Sequence, residues 1–164
     1  MKKILISALC LCVGAMASAK TFTTQGNGLR TLVSAQVDNR AVLYTGELDG
    51  AVAQYTLDGK LQWQSHTQNK AVLFELNTAD LDGDNNDDLV AASGDGSIYA
   101  WNAKGQLMWQ YPPQAKVRFN EIAITLVEGD IRIYAGGNDF QLYELNVQGK
   151  LLSTTNIDGT IRKI

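Results

Sequence analysis

From Leu29 onward the apolar side chains come in short runs that alternate with polar ones or break at a turn. "LRTLVSAQV" (29–37), "AVLFELNTADL" (71–81) and "VRFNEIAITLV" (117–127) each precede a second apolar stretch that opens at Leu43, Leu89 and Ile133. No segment after residue 19 sustains a 3.6-residue period between helix caps, so the pattern predicts strands throughout.

The pattern also repeats. "LYTGELDGAVAQYTLDGKLQWQ" from Leu43, "LVAASGDGSIYAWNAKGQLMWQ" from Leu89 and "IYAGGNDFQLYELNVQGKLLST" from Ile133 superimpose without gaps, at spacings of 46 and 44 residues. Asp49, Asp95 and Asp139 fall at one turn, and Gly59, Gly105 and Gly149 at the next. Asp bonds its own turn backbone and Gly supplies positive φ, so both are turn formers by mechanism. Val52, Ile98 and Leu142 hold equivalent apolar places between the turns, as do Tyr55, Trp101 and Leu145. Each repeat reads as four strands, and four-stranded repeats of 40–50 residues predict blades of a β-propeller. The expected architecture is all-β: residues 20–164 form a β-propeller with blades near 28–66, 70–112 and 116–155. "IDGTIRKI", over 157–164, reads as the first strand of a fourth blade, starting at 158. Closed propellers have about 4–8 blades. Three blades and a strand make an incomplete ring, read here as the N-terminal part of a longer propeller.

The second repeat resembles the repeat of quinoprotein-dehydrogenase-type propellers, through Gly96, Ile98, Tyr99, Ala100, Gly105 and Trp109. Repeat one keeps Gly50, Val52, Gly59 and Trp63; repeat three departs, with Phe140 for the first Gly and Ser153 for the Trp. The resemblance implies that Trp63 and Trp109 dock between adjacent blades. It implies no chemistry, since a shared fold does not carry a shared function.

One connection stands apart. "DLDGDNNDDLV" (80–90) places five aspartates within residues 80–88. An EF-hand loop needs Gly at position six and a ligating Glu at position twelve; counted from Asp80, those places hold Asn85 and Ala91, and the flanks are strands. The run is similar instead to the calcium loop of FG-GAP/VCBS-like propeller repeats, Asp-x-Asp-Gly-Asp-x-x-x-Asp before an apolar strand. That resemblance implies a structural calcium held by the Asp80, Asp82, Asp84 and Asp88 carboxylates and the Asn86 carbonyl, with Asp87 turned to solvent. The ligand chemistry agrees, because calcium takes oxygen donors and no His or Cys lies nearby. The alternative is a solvated acidic loop that holds no ion. The equivalent connections, "AQVDNRAVLY" (35–44) and "TLVEGDIRIY" (125–134), carry too few carboxylates, so the site reads as a local brace.

Composition narrows the function. "MKKILISALCLCVGAMASA" (1–19) has a basic start, an apolar middle and Ala17-Ser18-Ala19 at its end, the form of a secretory signal peptide. Cleavage there would export the chain to the periplasm or the medium and remove both cysteines, Cys10 and Cys12. Leu9 and Leu11 precede them, not the small residues a lipoprotein signal needs, so no membrane anchor is expected. The net charge of −3 becomes −5 without Lys2 and Lys3, which argues against nucleic acid as a partner. His66 is the single histidine, and its solvated place is read as surface. No nucleophile elbow, phosphate loop or paired-Cys motif appears. The expected function is a calcium-braced binding scaffold for a protein or carbohydrate ligand, with pyrroloquinoline quinone disfavoured. The alternative is part of a quinone-dependent dehydrogenase or a polysaccharide-active enzyme whose catalytic residues lie outside this chain.

Overall fold

The computed structural model describes residues 3–6, 20–24, 27–112 and 117–158. Strands β1 (Lys3–Ile6) and β2 (Lys20–Thr23) pair antiparallel. β1 falls within the segment read as a signal, so cleavage after Ala19 would dissolve this pairing.

Three four-stranded antiparallel sheets follow, each a simple meander. Blade one is β3 (Leu29–Val37), β4 (Arg40–Glu47), β5 (Ala51–Thr56) and β6 (Leu61–His66). Blade two is β7 (Leu73–Ala79), β8 (Asp88–Ser93), β9 (Ile98–Trp101) and β10 (Leu107–Tyr111). Blade three is β11 (Phe119–Val127), β12 (Asp130–Gly137), β13 (Gln141–Leu145) and β14 (Leu151–Asn156). No helix occurs among the described residues, as the period-2 pattern required. The first strands β3, β7 and β11 lie side by side, with β7 between the other two. Three sheets leave the ring open. Of the expected start of a fourth blade, only Asp158 lies within the described residues.

Turn chemistry sets the register. Val37 pairs with Arg40 and Val127 with Asp130, so blades one and three close their first hairpins with two-residue turns. Asp38 and Asn39 (φ 51° and 59°), and Glu128 and Gly129 (φ 55° and 90°), all take the left-handed region those turns require. In blade two the same connection runs from Ala79 to Asp88.

The core lies in the seams between blades. Val42, Tyr44 and Val52 of blade one meet Leu76, Leu89, Ala91, Tyr99 and Trp101 of blade two. Val90, Ala92, Ile98 and Ala100 of blade two meet Ile133, Ala135, Tyr143 and Leu145 of blade three. Blade two thus packs on both faces and its β8 and β9 are buried throughout, whereas β13 of blade three alternates buried and half-buried positions. Trp101, 1% exposed, stacks on Tyr99 with centroids 5.4 Å apart.

Candidate functional site

The acidic connection of blade two folds on its own carboxylates. Asp80 accepts backbone N–H bonds from Gly83 (2.7 Å), Asp84 (3.1 Å) and Asn85 (2.9 Å). Asp82 accepts from Asp84 (3.1 Å), and Asp84 from Asn86 (2.8 Å). These are the local side-chain-to-backbone bonds that make Asp a turn former. Asn85 holds φ 65° within the loop.

Asp88 anchors the loop from inside. It is fully buried, and its two oxygens accept from Leu81 N and Ala103 N, each at 3.0 Å. Burial pushes its carboxyl up to about 6; those two hydrogen bonds oppose the rise, and the charges of Asp82 and Asp84 add to it. Carboxylate oxygens of Asp80, Asp82 and Asp88 lie within 4.8 Å of one another. Three of the five candidate ligands therefore converge. The all-oxygen donor set fits a hard cation such as calcium. Asp84 is not in that group; its carboxylate accepts from Asn86 N.

The loop also reaches across to blade one, which corrects the expectation that Asp87 points to solvent. Asp87 Oδ2 accepts from Gln36 N at 2.6 Å, Asp87 N donates to Gln36 O at 2.8 Å, and the buried Tyr44 hydroxyl donates to Asp87 O at 2.9 Å. The Asn86 side chain accepts from Asp38 N at 2.7 Å. The exposed hairpin of blade one offers free backbone groups at its end, and the longer loop of blade two caps them. Two-residue turns at the same place in blades one and three are the sequence signal that this connection has length to spare.

The tryptophans sit where the resemblance implied. Trp63 Nε1 donates to Ala103 O (2.9 Å) and Trp109 Nε1 to Val147 O (2.8 Å), each in the following blade. A Cβ at Gly105 or Gly149 would lie 2.5 Å from the indole above it, so the turn glycine is also a docking surface. They pack seams and are not presented as sugar platforms. In blade three Ser153 replaces the Trp and donates to Glu144 (2.7 Å), which also faces Arg132 Nε at 3.4 Å. Asp49 and Asp95 cap their own turns at Ala51 N and Ser97 N. His66 is exposed at the end of β6.

A family model described as the lambda-carrageenase β-propeller domain matches residues 42–159. No curated protein matches the chain. Among solved structures, Saccharomyces cerevisiae Sqt1 is similar at 21% identity and TM-score 0.70, covering 87% of this chain and 43% of that one. The Neurospora crassa Pan2 WD40 domain is similar at 12% and 0.69, covering 83% and 40%. BBS1N in complex with ARL6DN is similar at 15% and 0.62, covering 80% and 44%. At these identities the likeness shows the fold alone. The chain spans less than half the length of each of these structures.

Proposed function

The chain belongs to the lambda-carrageenase β-propeller domain family, and on that premise we propose that it is an exported, calcium-braced binding module. The observation that carries the brace is the convergence of Asp80, Asp82 and Asp88 on a loop tied to blade one through Asn86 and Asp87. A cation there offsets the mutual repulsion of the carboxylates and keeps Asp88 ionised in spite of its burial. Asp84 and the Asn86 carbonyl complete the shell in this reading, since calcium takes 6–8 oxygens. Export rests on residues 1–19, and the quinoprotein-type repeat contributes packing residues without a quinone.

The scaffold role follows from where the repeat spends its residues: its matched positions form turns and seams. One similar structure, BBS1N, holds a protein partner, ARL6DN, which supports a protein ligand. The family's description supports a glycan, and it also keeps the second reading, a segment of a polysaccharide-active enzyme whose catalytic residues lie elsewhere.

Melting the chain in chelator and in millimolar calcium tests the brace. Because the ion binds the folded loop, stability is expected to rise by about 2.7 kcal/mol at a hundredfold excess over the dissociation constant. Asp82→Ala should remove that rise, and magnesium should replace calcium poorly. An equal melting temperature with and without calcium would refute the brace.

A further inference from the structure

An open groove of about 410 Å3 runs along the seam between blades two and three, lined by Tyr111, Asp139, Gln141, Tyr143 and Thr154 among others. The Tyr143 hydroxyl donates to Asp139 Oδ2 at 2.6 Å. Among the described residues the Tyr111 hydroxyl and Asp139 Oδ1 are buried without a hydrogen-bond partner, and Tyr111 as a whole is 7% exposed. Buried polar atoms are nearly always satisfied, so two orphans in one place need a reason.

The preceding seam shows what is missing. There the Tyr99 hydroxyl donates to Asp95 Oδ2 (2.7 Å), Ser97 N donates to Asp95 Oδ1 (2.9 Å), and Asn69 Nδ2 donates to Asp95 Oδ2 (3.3 Å). The Gln110 carboxamide then closes the place, donating to Ser97 Oγ (2.9 Å) and to the Tyr99 hydroxyl (3.2 Å). Gln110 pairs with Tyr99 in blade two as Thr154 pairs with Tyr143 in blade three. The shorter Thr154 therefore stands where the carboxamide would, and Gln141 stands for Ser97. The same Asp–Tyr pair is kept, but Asp139 Oδ1 lacks the backbone N–H bond that Ser97 gives Asp95 Oδ1, and the carboxamide that covers the Tyr99 hydroxyl has no counterpart over Tyr143 among the described residues.

We propose that this groove is a binding site for the hydroxyl-bearing ring of a neutral sugar, with Asp139 and Tyr111 as its hydrogen-bonding groups. Asp139 Oδ1 accepts a sugar hydroxyl, and the Tyr111 hydroxyl gives or takes a second bond. Burial, then the hydrogen bond to Asp139 and its charge, push the Tyr143 phenol above its usual range, so it remains a donor to Asp139. Tyr111 and Tyr143 meet edge to face at 6.2 Å, and with Val117 and Leu151 they give the groove its apolar lining for the C–H face of a ring; Phe119, fully buried, backs both rings from inside. Thr154, exposed, and Gln141, half-buried, are the side chains that turn aside to admit it. The carboxylate and the acidic chain disfavour a sulfate or phosphate group at this point. The volume lies within the 300–1,000 Å3 range of small-molecule sites.

The assignment rests on the glycan arm of the reading above. Calorimetric titration of the full chain with galactose, glucose and methyl β-galactoside tests it. At least one hexose is expected to bind saturably. Tyr111→Phe should weaken it roughly tenfold, the size of one lost hydrogen bond. Thr154→Gln, which restores the blade-two filler, should weaken it at least as much while the melting temperature holds or rises. Binding of none of the three hexoses overturns the site, as does unchanged affinity in both variants. Saturation by methylammonium in their place overturns the ligand class. Binding of a galactan polysaccharide that neither variant alters would keep the glycan reading and overturn this site, which separates the two failures.

Discussion

The two seams are built from one repeat and yet differ. In both, a tryptophan of the outer strand lies over a glycine turn of the next blade and donates to its backbone. The seam between blades one and two adds the Asn86–Asp87 latch, and the polar pair Asp95–Tyr99 is closed over by Gln110. The seam between blades two and three has a two-residue turn where the latch would be, and its Asp139–Tyr143 pair lies beside an open groove. The repeat thus specifies packing, and departures from it mark where packing has been exchanged for something else. Length was added to one loop, and a side chain was shortened on one strand.

The largest expected effect breaks both seams at their shared element. Trp63→Ala and Trp109→Ala should each cost about 3 kcal/mol, the lower end for removal of a packed Trp, since both indoles are half-buried. The comparison sharpens in hydrogen exchange. Blade one keeps its latch after Trp63→Ala, so exchange in β3–β6 should rise less than exchange in β11–β14 does after Trp109→Ala. Equal rises would mean that the latch holds nothing.

The latch itself comes next. Asp87→Ala and Asn86→Ala each remove the acceptor of an exposed backbone donor of blade one, Gln36 N and Asp38 N, and should each cost about 0.5–1.5 kcal/mol by urea denaturation. Glu128→Ala, in the exposed two-residue turn at the corresponding place of blade three, should stay within about 0.5 kcal/mol of zero. A loss at Glu128 as large as at Asp87 would remove the distinction between the two connections.

What was legible in the chain was whatever local physics fixes. Strand alternation, the Asp and Gly turns and the repeat phase of Trp63 and Trp109 are short-range signals, and the three sheets follow them. Asp80, Asp82 and Asp88 were legible as a group because their spacing brings them together within one loop. Asp87 was misread, because its partners Gln36 and Tyr44 lie some 40–50 residues back and only the blade-to-blade approach joins them. The Tyr111–Asp139 groove was invisible for a like reason. Asp139 reads as one more turn aspartate, and the substitution that opens the space, Thr154 for Gln110, looks like ordinary surface variation on an exposed strand. Neither orphaned oxygen leaves a mark in sequence, since a missing partner has no residue of its own.

The smallest expected effect tests the closed pair of the first seam by pH. Burial raises the Asp95 carboxyl, but hydrogen bonds from Tyr99, Ser97, Ser93 and Asn69 outweigh it and hold the group below its ordinary 3.8. A folded pKa below the unfolded one means that the unfolded chain binds the proton first as pH falls. The stabilisation from the ionised pair is therefore complete above pH 3.8 and is lost as pH drops through the depressed folded value. Asp95→Asn removes the titration and keeps an acceptor for the turn. The stability gap between wild type and Asp95→Asn, read from urea midpoints, should hold steady from neutral pH down to about 5 and then narrow under acid. A gap that widens under acid would mean the carboxyl sits above its ordinary range, with burial winning over its four donors. In that case the first seam would be no better satisfied than the second.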